Sequence, residues 1–158
     1  MPRARLVAYV SRTGTTAAAA SWLAARLDAD LHDLTPYRYL PDALGLVRVV
    51  GDVLDLTREP PVLPTLDGRR LIVLAAPIWL FAPAPPLRAY VRATRFGGAD
   101  VLAVLTMTAA CSARALRSLR ADIDAADARC LGVHALRVRP GAALPDLLAP
   151  LLSDLHLA

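Results

Sequence analysis

The residues with the clearest chemical meaning are Ser11-Arg12-Thr13-Gly14-Thr15-Thr16. They lie between Arg5–Val10 (RLVAYV), an apolar run of strand formers, and Thr16–Leu27 (TAAAASWLAARL), an alanine-rich stretch that reads as a helix with Ala20, Leu23, Ala24 and Leu27 on one face. The first N–H groups of a helix have no partner inside it, and the aligned peptide dipoles leave positive charge there. Both suit a phosphate. The hydroxyls of Ser11, Thr13, Thr15 and Thr16 can add donors, and Gly14 lets the backbone approach closely or adopt a positive φ. An ordinary strand-to-helix turn accounts for Thr15 or Thr16 as an N-cap and for Gly14 as the bend. Four hydroxyls in six positions are more than a cap needs. The loop is read as a phosphate site that requires neither lysine nor metal.

The elements that must position this loop follow from the apolar pattern. Further strands are expected at Asp30–Leu34, Arg70–Ala75, Asp100–Leu105 and Cys130–Val138, and further helices at Ala43–Leu56, Pro86–Thr94, Ala113–Ala126 and Ala142–Leu157. Over Leu46–Val50 a strand remains an alternative to the helix, because so few residues do not resolve the period. After the charged residue that opens each, RLIVLA (Arg70–Ala75) and DVLAVL (Asp100–Leu105) are continuously apolar, as strands buried on both faces of a parallel sheet must be. Alternating strands and helices predict an α/β sandwich with right-handed crossovers and a parallel sheet covered on both faces. Ligands of such sheets bind beyond the carboxyl ends of the strands, where the strand order switches. That makes the loops after the first, third and fourth strands the informative ones. No repeat, linker or internal boundary interrupts residues 1–158, which read as one domain.

Composition excludes several classes. All 18 basic residues are arginine, so lysine-dependent phosphate loops and Schiff-base chemistry are out. The net charge is +4, and the arginines are dispersed from Arg3 to Arg139, not gathered in the aromatic-laced stripe of a nucleic-acid surface. Cys111 and Cys130 are too few for a disulfide framework and lack metal-ligand spacing. His32, His134 and His156 are isolated, so no metal site is expected. Leu71–Leu87 carries no charge, but Pro77, Pro83, Pro85 and Pro86 fit a strand and loop better than a membrane span. No signal peptide is visible, and the expected location is cytoplasmic.

YVSRTGTT (Tyr9–Thr16) resembles the flavodoxin signature, in which a hydroxyl-x-Thr-Gly-x-Thr loop after the first strand holds the phosphate of flavin mononucleotide (FMN). The resemblance extends along nearly the whole chain, most clearly over residues 5–35 and 67–115. It implies a three-layer sandwich with a five-stranded parallel sheet in the order 2-1-3-4-5, with FMN as cofactor. In that family the third strand ends in a Pro-hydrophobic-aromatic turn beside the isoalloxazine ring. Here that place reads Pro77-Ile78-Trp79-Leu80-Phe81, with Trp79 as the candidate for stacking on the ring. Such stacking is worth about 1–3 kcal/mol by analogy with bases on aromatic side chains. The resemblance places the loop starting Thr106-Met107-Thr108 and containing Cys111 on the other side of the ring, where Thr106, Thr108 and backbone N–H groups could bond its pyrimidine edge. Cys111 reads either as a thiolate stabilised near a helix N-terminus or as a small buried apolar residue.

The implied function is an FMN-binding redox protein, either an electron carrier or an NAD(P)H-dependent reductase of a quinone-like acceptor. The flavin would carry the chemistry and no side chain need act as acid or base. Electron-carrying flavodoxins are generally acidic, whereas this chain has a pI near 9.7, which leaves room for a reductase or for an acidic redox partner. Residues 76–83 and 106–113 contain no glycine, where relatives usually carry some. That departure motivates the alternative of a flavodoxin-fold protein that has lost flavin and serves in interaction or regulation. A phospho-receiver of the same fold would need an acidic cluster after the first strand and a lysine after the last, and Ser11 and the lysine-free composition contradict both.

Overall fold

The computed structural model describes residues 3–36, 47, 64, 66–108, 113–154 and 156. The elements among them are β1 (Arg5–Tyr9), α1 (Thr15–Arg26), β2 (Asp30–Asp33), β3 (Leu71–Trp79), β4 (Ala82–Pro83), α2 (Pro85–Ala93), β5 (Asp100–Met107), α3 (Ala113–Ala125), β6 (Arg129–Arg137) and α4 (Leu144–Asp154). Of the expected helix over 43–56 only Val47 is described, and it is helical; the rest of that stretch and Cys111 lie outside the described residues. The sheet order is β2-β1-β3-β5-β6, all parallel, with β4 joined antiparallel to the end of β3. Apart from the two-residue β4, this is the order 2-1-3-4-5 that the family resemblance implies.

Each long strand sends alternate side chains to opposite faces, and both faces are covered. Ile72, Leu74 and Ala76 of β3 and Val101, Ala103 and Leu105 of β5 pack with Leu87, Tyr90, Leu119 and Ile123 from α2 and α3. Leu71, Val73 and Ala75, with Leu102 and Val104, pack with Ala19, Ala20 and Leu23 of α1 and Leu148 and Leu152 of α4. The run over 71–76 is therefore apolar at every position because every position is inside. The small Ala19 and Ala20, both fully buried, allow α1 to lie close on the sheet. Pro85 and Pro86 occupy the first turn of α2, where a missing N–H costs no helical bond.

Two boundaries differ from expectation in a way that matters for the site. β3 runs on to Trp79, so Pro77, Ile78 and Trp79 belong to a strand and not to a loop. Pro77 is tolerated because the sheet is ending there. Its carbonyl still accepts from the Ala84 N–H at 3.0 Å. β5 likewise extends through Thr106 and Met107, paired with Leu136 and Arg137 of β6.

At the opposite end of the sheet an ion pair ties the edge strand to its neighbours. Arg69, its side chain almost fully buried, bonds the Asp30 carboxylate of β2 and the backbone carbonyls of Arg3 and Arg5. The Arg69 guanidinium, and then the Arg3 N–H at 3.1 Å, hold the Asp30 carboxyl below its ordinary value of 3.8. Above that value both folded and unfolded chains carry the carboxylate and the contribution to stability is whole; it is lost as pH falls through the lowered folded value. Asp30→Asn therefore flattens the fall of the melting temperature from about pH 4 to about pH 2, read by circular dichroism. Parallel acid limbs for the two proteins would contradict this.

Candidate functional site

The carboxyl ends of β1, β3 and β5 lie side by side, and β1 is where the strand order switches. A cleft of about 610 Å³, counting its open mouth, lies there, lined mainly by residues of three segments. Ser11, Arg12, Thr13, Thr15 and Thr16 come from the β1–α1 loop, Pro77, Ile78 and Trp79 from the end of β3, and Thr106, Met107 and Thr108 from the end of β5. These segments are far apart in sequence, and parallel pairing alone brings them together.

The β1–α1 loop is braced from the end of β2. The Ser11 N–H donates to Thr35 Oγ1 at 2.8 Å, and that hydroxyl donates back to the Ser11 carbonyl at 3.2 Å. Thr35 is itself held by Asp33, whose Oδ1 accepts the Thr35 N–H at 2.7 Å while Oδ2 accepts the Tyr9 hydroxyl at 3.1 Å. Burial, followed by the charge of Asp33 and this bond, pushes the Tyr9 phenol above its ordinary pKa of 10.0 and keeps it a donor. Within the loop, Ser11 Oγ accepts the Gly14 N–H at 3.1 Å and keeps its own proton to donate.

α1 begins without a side-chain cap and without an acidic residue in its first turn. Gly14, at the N-cap, has φ 94°, a conformation that side chains disfavour, although a Cβ there would touch nothing within 4 Å. The need for glycine is thus conformational and not a matter of space. The cap that an ordinary turn would make with Thr15 or Thr16 is absent: Thr15 is exposed on the cleft wall, and Thr16 is buried. The result is a helix N-terminus with open amides beside the hydroxyls of Ser11, Thr13 and Thr15 and the guanidinium of Arg12, with no carboxylate among the described residues that line the cleft.

Thr16 and Thr106 were both expected to donate to a ligand, and their hydroxyls meet each other at 2.7 Å, fully buried. This bond fastens the first turn of α1 to the end of β5. It consumes one of two protons, so the pair retains one donor.

Pro77, Ile78, Trp79 and Met107 give the cleft a predominantly apolar wall opposite the hydroxyls. Ile78 and Trp79 are half-buried and pack on the core beneath α2 and α3. Val138 joins this wall, a residue that sequence reasoning did not select. Its N–H donates to the Met107 carbonyl at 2.9 Å, so the β5–β6 register brings it there. Its only sequence signal is its position at the end of the last strand.

Leu80 and Phe81 do not line the cleft. They form the two-residue turn between Trp79 and Ala82, which are paired across the hairpin. Their φ values are 46° and 65°, positive at both central positions as a type I′ turn requires. Asparagine and glycine are the usual occupants, and a bulky L-residue there costs about 1–2 kcal/mol. Both side chains are also exposed, Leu80 at 55% and Phe81 at 73%.

No family model matches the chain, and no curated protein matches it in sequence. Solved structures do match. A protein from Bacteroides uniformis assigned as a flavoprotein superposes with a TM-score of 0.75 at 22% identity, over 96% of this chain and 99% of that one. A flavoprotein from Lactobacillus acidophilus, crystallised in complex with FMN, gives 0.66 at 18% identity, over 83% and 91%. A short-chain flavodoxin associated with a bacterial microcompartment gives 0.56 at 11% identity, over 96% and 95%.

The strained turn yields a direct test. Leu80→Asn/Phe81→Gly installs the residues that a type I′ turn favours and raises stability by about 1–2 kcal/mol in urea unfolding. An unchanged or lower midpoint would show that the turn is not strained. The strand order, the two-faced core and the superpositions agree, and the chain has the flavodoxin-like fold.

Proposed function

We propose that the chain binds FMN in this cleft and acts as a flavin-dependent redox protein. The observation that carries the reading is the uncapped N-terminus of α1, which shares one cleft with three available hydroxyls and an apolar wall. A phosphate needs donors and positive potential, and the Ser11–Thr16 loop offers both with no carboxylate among the described residues of the wall. A flat apolar ring needs an apolar surface, and Pro77, Ile78, Trp79, Met107 and Val138 supply one. The residues present therefore fit the group.

In this reading Ser11, Thr13, Thr15 and the first amides of α1 hold the phosphate, with Gly14 setting their approach and Arg12 adding charge. Trp79 presents its indole to the ring. The proton left on the Thr16–Thr106 pair and the exposed hydroxyl of Thr108 face the polar edge of the ring. Leu80, Phe81 and Cys111 belong to the ring end by family resemblance alone. When bound, FMN supplies the acceptance and release of one or two electrons. The chain binds, orients and partly shields it. The electron donor and acceptor are a redox protein or small molecules, with NAD(P)H and a quinone-like compound as the leading pair.

The test is titration of the purified protein with FMN, followed by flavin fluorescence and the visible spectrum. Quenching and a shifted visible band are expected. Thr13→Glu/Thr15→Glu places two carboxylates where the dianion sits and weakens binding by about 100-fold or more, roughly 3 kcal/mol. Fluorescence unchanged by the wild-type protein would remove the cofactor and favour an interaction module of the same fold. Quenching retained by the double variant would place the phosphate elsewhere. Anaerobic mixing of the loaded protein with NADH or NADPH then separates a reductase from a carrier.

A further inference from the structure

The arginines at the two ends of the sheet are treated differently. At the amino ends of the strands they are largely engaged. Arg3 pairs with Asp28 at 3.1 Å, Arg69 with Asp30, and Arg129 with Asp100, while Arg5 and Arg95 bond helix-end carbonyls. Arg26 and Arg70 pair with no carboxylate among the described residues, but Asp67 and Asp127 also lie at that end. At the carboxyl ends, around the cleft, Arg114, Arg117, Arg137 and Arg139 are exposed and have no ion-pair partner among the described residues.

These four share one corner. Arg114 and Arg117 are one turn apart at the start of α3. Arg137 is in register with Met107 of the cleft wall and, alternating with Leu136, lies on the sheet face that carries α3. Arg139 follows Val138 of the same wall. Among the described residues, the acidic groups at this end lie away from the corner. Asp146 is on α4, on the other face of the sheet, and Asp33 is on the far edge strand, engaged by Tyr9 and Thr35. β4 packs on α3, which sets the exposed Leu80–Phe81 turn beside the same corner.

A strained turn that projects two large apolar side chains into solvent works against stability, and such features persist where function uses them. An apolar, aromatic centre with an arginine rim is the anatomy of a protein-binding surface. We propose that Leu80, Phe81, Arg114, Arg117, Arg137 and Arg139 form a docking surface at the mouth of the cleft for a redox protein whose contact face is apolar at its centre and acidic at its rim. Positive charge that is unpaired among the described residues around the cleft steers such a partner to the edge at which electrons would pass, and repels a basic one. The surface is a feature of the chain itself, and only what crosses it rests on the FMN reading.

The test uses two small electron-transfer proteins of opposite charge as probes, an acidic [2Fe–2S] ferredoxin and basic cytochrome c. Each is titrated into the full-length chain with FMN added, by calorimetry at about 20 and about 200 mM NaCl. Ferredoxin is expected to bind at least about tenfold tighter than cytochrome c and to weaken roughly tenfold at the higher salt. Arg114→Ser/Arg117→Ser/Arg137→Ser/Arg139→Ser should weaken ferredoxin about tenfold or more while quenching FMN as the wild type does. Leu80→Asn/Phe81→Gly, which relieves the strained turn, should weaken it several-fold at both salts, because its loss is apolar. Absence of ferredoxin binding, equal binding of cytochrome c, or unchanged affinity in the arginine variant would each overturn the proposal. So would loss of NADPH binding in that variant with ferredoxin binding intact, which would assign the arginines to a nucleotide phosphate. Ferredoxin binding by a protein that fails to quench FMN would overturn the cofactor reading and leave the docking surface standing.

Discussion

Parallel pairing is the constraint from which the rest follows. Five strands that all run one way must be joined by crossovers, and the crossovers cover both faces of the sheet. The strands are then apolar on both sides, and polar residues are pushed to the two ends of the sheet or onto the outer faces of the helices. At one end the loops close with ion pairs such as Arg69–Asp30. At the other, the loops after β1, β3 and β5 gather into one cleft. The site needs no dedicated scaffold, because the direction of the strands creates it.

What the β1–α1 loop adds is a helix start whose amides are left without the side-chain cap most helices have. Its geometry is fixed from outside by Thr35 and Asp33 and from below by the buried Thr16–Thr106 bond, while Gly14 supplies the backbone angle. The open amides are thus held in place for a ligand without being consumed by the protein. The same logic separates the two ends of the cleft. The end at the β1–α1 loop is built from backbone and hydroxyls, and the opposite end from strand residues whose positions the sheet dictates.

Much of this was legible in the sequence, for reasons that can be named. The runs over 71–75 and 101–105 are apolar without alternation, which is how a strand covered on both faces must read, and β3 and β5 fall there. Ser11–Thr16 combined hydroxyls, a glycine and a helix start, and the structure assembles them in the cleft with the ends of β3 and β5. Less legible was whatever depended on contacts across the chain. Thr16 and Thr106 are 90 residues apart, and nothing local announces that their hydroxyls pair. Val138 enters the cleft only through its register with Met107. Leu80-Phe81 carries no turn signal, so nothing local announces a hairpin after Trp79, and the structure imposes a turn that the local sequence resists. That conflict between local preference and tertiary placement is itself informative, since it marks the residues that project beside the cleft.

In the proposed FMN complex the phosphate is the anchor, held by amides and hydroxyls at the start of α1. The most direct measurement compares the affinity of the protein for FMN and for riboflavin, which has the same ring and lacks the phosphate. FMN binding tighter by about 100-fold or more, with a gap that narrows as inorganic phosphate is added, is the result this geometry predicts. Equal affinities would show that the ring alone is recognised and that the Ser11–Thr16 loop is only a turn.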